Sequence, residues 1–175
     1  MSDASGTRLG GARSRMVLMA GALALCVIAI VGASLEWGRL IVNGRLVAVE
    51  AGLSLWQGVT VLVAAAVGAL VMAFAVASAR GRAAALMALV AGVVICAASI
   101  SALSWLVTRP DDLADQVKAA AADIPLTGYV VPPIESIVGP GGWVALAAGA
   151  LLAAAGLAAV VTWAWRGRRR GTGEA

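Results

Sequence analysis

Three carboxylates stand close together in the run TRPDDLADQVKAAAAD: Asp111, Asp112 and Asp115. On a helix, Asp111 and Asp115 share a face at i, i+4, and Asp112 lies beside Asp115 at i+3, so their oxygens can converge on a divalent cation. The same acids also suit the positive end of a helix and water, which is the plainer expectation. The other reactive groups are few. Cys26 and Cys96 are the only thiols and form no CxxC, and histidine is absent. That excludes bis-His haem ligation, His-bearing zinc sites and Ser-His or Cys-His nucleophile pairs. No catalytic residue, cofactor or resident metal is expected, and the two cysteines are expected to act as small apolar packing residues.

The elements that position these groups are set by hydrophobicity. The chain is 62% hydrophobic and 13% charged, with mean hydropathy +0.96, far from the soluble norm of roughly 45–50% apolar and about 25% charged. Four charge-free windows each hold the ~20 residues that cross a bilayer. They place spans at about 16–35, 55–79, 83–107 and 142–165, with loops at 36–54 and 108–141. Residues 1–15 and 166–175 are expected to be basic tails, the first disordered. The first span is too long an uncharged run for a signal peptide's apolar region and is expected to stay as a helix.

Orientation follows from basic residues near the span ends. Arg8, Arg13, Arg15, Arg80, Arg82, Arg166, Arg168, Arg169 and Arg170 fall on one side; only Arg39, Arg45, Arg109 and Lys118 fall on the other. Both termini are therefore expected to be cytoplasmic in a multi-pass protein of a bacterial cell membrane. The RGRRR run at 166–170 is expected to lie on anionic lipid and not to bind nucleic acid. Trp37, Trp56, Trp105 and Trp143 fall at the outer ends of the spans and read as headgroup anchors.

Within the spans, small residues recur every fourth position: Ala84, Ala88, Gly92 and Cys96; Ala64 and Gly68; Ala145, Gly149 and Ala153. Such columns let helix backbones approach in lipid. No ionisable group other than the thiols lies inside a span, which argues against an ion-coupled transporter. Ser101, Ser104 and Thr108 share a face and either line a vestibule or, as expected, bond to helix carbonyls.

The outer loops carry the defined turns. RLIVNGRLVAVE reads as a β-hairpin about Asn43-Gly44, with Val42 opposite Arg45, Ile41 opposite Leu46 and Leu40 opposite Val47. Pro110 opens a predicted short helix, and Tyr129 to Val131, ended by Pro132-Pro133, is expected to pair with a hairpin edge. GPGG at 139–142 is expected to break the chain before the last span. The fold class is thus a membrane all-α protein: a four-helix transmembrane bundle with a small extracytoplasmic cap of β-hairpin and short helix.

The segments SLEWG, GLSLWQG, the short Arg-bearing inner turn and GPGGWVALAAGALLAAAGLAAVV with its basic tail resemble small four-span proteins of high-GC Gram-positive bacteria, including the tryptophan-operon-associated membrane family. The plan is also similar in outline to claudin-like proteins, without their loop cysteine pair. The resemblance implies the four-span architecture and assigns no functional residue.

The expected role is a non-catalytic accessory, partner-binding or structural membrane protein; a small oligomeric transporter or channel subunit is the alternative. A membrane enzyme with a cation at the Asp111–Asp115 cluster is the third reading weighed. Trp37, Arg39, Arg45, Trp56, Asp111, Asp112, Asp115 and Tyr129 are the candidate recognition surface, because varied side chains on defined turns occur only there. The expected partners are membrane lipid and either another protein or further copies of the chain.

Overall fold

The computed structural model describes residues 6–77, 81–122 and 133–171. Its elements are helix α1 (Gly6–Ser34), strands β1 (Glu36–Val42) and β2 (Arg45–Ala51), a 3-10 turn (Gly52–Ser54), helices α2 (Trp56–Ala77) and α3 (Gly81–Ala122), strand β3 (Ile134–Val138) and helix α4 (Pro140–Gly171). All four α-helices are long and apolar enough to cross a membrane, over Met16–Ser34, Trp56–Ala75, Arg82–Val117 and Pro140–Trp165. Each of α1 and α3 packs against both α2 and α4, and α1 barely touches α3, so the helices form a four-cornered ring.

Both terminal helices outrun the apolar spans. α1 starts at Gly6, inside the tail expected to be disordered, and α4 runs on to Gly171. Neither flank contains a proline, so no N–H is missing from either ladder, and the arginines favour the helix while the glycines of both flanks weaken it without breaking it.

Small residues make the seams. A Cβ at Gly92 of α3 would run into the backbone of Ala153 and Gly149 on α4. A Cβ at Gly149 would in turn lie 2.7 Å from Ile95 Cγ2 and 3.1 Å from Cys96 Sγ. Gly68 of α2 faces Ala91 of α3 at 3.1 Å and Cys26 of α1 at 3.6 Å on the same measure. The interior is correspondingly lined by alanine, with Ala29, Ala33, Ala65, Ala102 and Ala145 buried and Ile95 and Leu152 as the larger fillers. Ser104 donates to the Ser101 carbonyl and Thr108 to those of Ser104 and Trp105, and all three are exposed. The Ser104 and Thr108 hydroxyls are thus spent on their own helix, as expected.

The three strands form one sheet in the order β2-β1-β3, antiparallel throughout. Asn43 (φ 53°) and Gly44 (φ 72°) supply the two positive φ values of a type I′ turn. Val42 pairs with Arg45 and Ile41 with Leu46 as expected, but Leu40 pairs with Ala48. Val47 is the extra residue of a β-bulge, which a count outward from the turn does not foresee.

One expectation about the second loop is corrected. Pro110 starts no new helix: α3 passes through it without a break. Among the described residues the strand that joins the hairpin is Ile134–Val138, beyond the prolines, and it pairs with β1 and not with β2. Proline has no N–H for a ladder, yet the Pro133 carbonyl still accepts from the Asn43 amide at 2.9 Å, extending the β1–β3 pairing. Residues 129–131, the stretch expected to pair, lie outside the described residues. GPGG opens the last helix: Pro140 is its first residue, where a missing N–H costs no hydrogen bond.

Candidate recognition surface at the sheet end of the bundle

Trp37 sets the geometry of this end. Glu36 pairs with Ala51 and Gly38 with Glu50, so Trp37 is itself an extra residue, a bulge on β1. A bulge re-aims its side chain; this one turns the indole into the bundle, where it is fully buried and donates from Nε1 to the Gly32 carbonyl at 2.8 Å. Gly52 and Gly141 make the room: a Cβ at Gly141 would lie 2.6 Å from Trp37 Cδ1, and one at Gly52 would overlap Nε1. Trp37 is therefore neither a headgroup anchor nor part of a contact surface. It is the plug between sheet and helices.

Two polar contacts tie the sheet to α3. Ser136 Oγ on β3 donates to the Leu106 carbonyl at 2.8 Å. Arg109 Nη1 donates to Glu50 Oε1 at 2.6 Å, and the Arg109 guanidinium lies over the Trp105 ring, 4.5 Å from its centroid. Ser54 Oγ donates to Glu50 Oε2 at 3.3 Å and to the Ala51 carbonyl at 2.7 Å, which links the same carboxylate to the turn before α2. The Arg109–Glu50 pair is part-buried, so solvent screens it less than a fully exposed pair.

The outward face of the sheet holds Val49, Arg39 and Ile137 in one row across all three strands. Arg39 forks onto both oxygens of Glu36, with Nη2 3.0 Å from Oε2. The hydrogen bond that Arg39 donates to Glu36, and then the Glu36 charge, hold the Arg39 guanidinium above its ordinary pKa. Arg45 stands exposed beside the turn, and Leu46, Val47 and Val49 of β2 are all exposed apolar residues. Among the described residues β2 is paired on one side only.

The other candidates are dispersed. Trp56 is exposed at the start of α2, consistent with a headgroup-facing indole. Asp111, Asp112 and Asp115 are exposed on the continuation of α3, within two turns after Arg109. Among the described residues no three His, Cys, Asp or Glu side chains are grouped as a metal ligand set. Tyr129 lies outside the described residues. The structure thus brings Arg39 and Arg45 onto one sheet and places the acidic cluster on α3.

Sequence reasoning passed over Glu50, Ser54 and Ser136. Glu50 and Arg109 carry opposite charge at the borders of adjacent spans, the one available hint, but their separation in sequence leaves no local signature. Gln57 Oε1 and Ser99 Oγ are buried without a hydrogen-bond partner among the described residues, both on the sheet-side half of the bundle. No known protein family matches this chain, and no characterised protein or solved structure matches it either.

Proposed function

We propose that the chain is a non-catalytic multi-pass protein of a bacterial cell membrane, with both termini cytoplasmic and the sheet outside, and that it works by holding a partner's extended segment against β2. The observation that carries this reading is the β2 edge, unpaired among the described residues, with Leu46, Val47 and Val49 exposed beside it. An unpaired edge flanked by apolar side chains is a template for strand addition, and proteins that do not use such an edge blunt or cover it. Trp37, Ser136 and the Arg109–Glu50 pair fix this edge to the bundle, so little ordering is left for the binding step. The orientation rests on the basic residues gathered at the other end.

Photo-crosslinking from position 47 in native membranes, followed by mass spectrometry, tests the reading. One dominant foreign protein is expected, and it should be lost when Asn43-Gly44 is replaced by Ala-Ala, because that turn requires two positive φ values. Ladders of this chain alone would instead favour the oligomeric channel. Full capture by the Ala-Ala variant, with the hairpin shown to be disrupted, would remove the β2 edge as the working surface.

A further inference from the structure

A groove of about 440 Å³ runs between α2 and α3 on the outside of the bundle. Its walls are the valines Val59, Val63 and Val67 on α2 and Val90 and Val94 on α3, all exposed. Ala64 and Ala91 form the floor. Thr60, the one polar side chain in it, returns its hydroxyl to the Trp56 carbonyl at 2.9 Å, so the groove offers only apolar surface.

The groove is aligned with a polar cluster. Trp105 and Arg109 follow Met87 and Ala91 by eighteen residues, five turns at about 3.6 residues each, so they occupy the same face of α3 further toward the sheet. There Arg109 lies over Trp105 and pairs with Glu50, which also accepts from Ser54, two residues before α2 begins. The apolar trough thus shares a face of α3 with one guanidinium and one carboxylate, which stand at the sheet end of the bundle about 22 Å along the helix from Val94.

We propose that this groove and cluster bind one phospholipid with a primary-amine headgroup: an acyl chain lies between the valine walls, the phosphate meets Arg109 and the ammonium meets Glu50. The groove's size favours a chain over a helix. A helix filling the stretch from Val59 to Val67, about 12 Å, occupies about 900 Å³ as a 10 Å cylinder, twice what is there. The valine walls also deny a third helix the close backbone approach that association in lipid depends on. Headgroup selection follows from charge: guanidinium plus carboxylate is neutral as a pair, so it complements a zwitterion better than a net anion. Arg109 keeps further N–H donors beyond the one that meets Glu50. The inference rests on the four helices lying in a bilayer and is independent of what binds β2.

Native mass spectrometry of the full chain, released from membranes in mild detergent with equal phosphatidylethanolamine, phosphatidylglycerol and phosphatidylcholine, tests the site. One phosphatidylethanolamine per chain is expected, retained about tenfold over the other two, which is about 1.4 kcal/mol. Val63→Trp fills the trough from an exposed position and should cut retention at least about tenfold with an unchanged unfolding midpoint. Arg109→Gln should erase the headgroup preference, and Arg109→Lys should restore part of it. Equal retention of the three lipids, undiminished retention in Val63→Trp, or crosslinking of another chain's helix from position 63 would each overturn the proposal. Val47→Lys, which puts a charge on the exposed β2 edge without touching the turn or Glu50, should weaken strand capture and leave lipid retention intact, which keeps a failure here distinct from a failure of strand capture.

Discussion

Ser136 donates its hydroxyl to the Leu106 carbonyl, and Leu106 is the residue four before Pro110, the carbonyl that a proline leaves without its helical partner. A side chain on β3 therefore repairs the gap that lets α3 continue to Ala122. Ser136→Ala should cost about 1–2 kcal/mol, since a part-buried acceptor is left unmet. Pro110→Ala restores an N–H to the same carbonyl, so in that background the Ser136→Ala cost should shrink by at least about 0.5 kcal/mol. Strictly additive losses in a double-mutant cycle of unfolding free energies would mean the two residues do not share that carbonyl.

Trp37 and Gly52 form a second coupled pair. Trp37→Ala opens a cavity at the junction of sheet and bundle and should cost about 3–5 kcal/mol, while Trp37→Phe loses chiefly the Nε1 bond to Gly32 and should cost less. Gly52→Ala drives a Cβ into Trp37 Nε1 and the Ala33 carbonyl, neither of which has anywhere to go. The expected outcome is that Gly52→Ala resembles Trp37→Ala, with tryptophan emission red-shifted as indole is expelled. A folded Gly52→Ala protein with wild-type emission would contradict this packing.

Glycines within the helices should divide sharply. Gly92→Ala places its Cβ against the Ala153 and Gly149 backbones and must push α3 from α4. Gly21→Ala on α1 meets nothing within 4 Å and gains helix propensity, up to about 1 kcal/mol. Thermal unfolding in detergent should show a large drop for the first and no loss for the second.

Features governed by local periodicity were legible in the sequence, and those governed by tertiary contact were not. The charge-free windows mark the four helices, the four-residue columns mark the α3–α4 and α2–α3 seams, and Asn43-Gly44 marks the hairpin with its first two pairs. Trp37 misled because a span-end tryptophan has the same sequence context whether it faces lipid or is turned inward by a bulge; only Gly52 and Gly141, distant in sequence, decide it. Pro110 misled for a similar reason. The hydroxyl that makes its helix continuous comes from Ser136, and nothing near Pro110 announces that partner. Of the candidate surface, Arg39, Arg45 and Trp56 were visible as exposed side chains, whereas the apolar β2 edge is exposed only because β3 takes the opposite side of β1.

That strand order gives the last prediction. Val49, Arg39 and Ile137 lie in one row, with Arg39 in the middle. Cysteines at 39 and 137, or at 39 and 49, sit on neighbouring strands about 5 Å apart and should form a disulfide on mild oxidation. Cysteines at 49 and 137 are two strand spacings apart, about 9–10 Å, beyond the ~7 Å a disulfide spans, and should not. The native thiols do not interfere, since Cys26 and Cys96 lie within the helix bundle. If 49 crosslinks to 137 while 39 does not, β3 adds to the β2 edge, and the edge on which partner capture depends is already occupied within the chain.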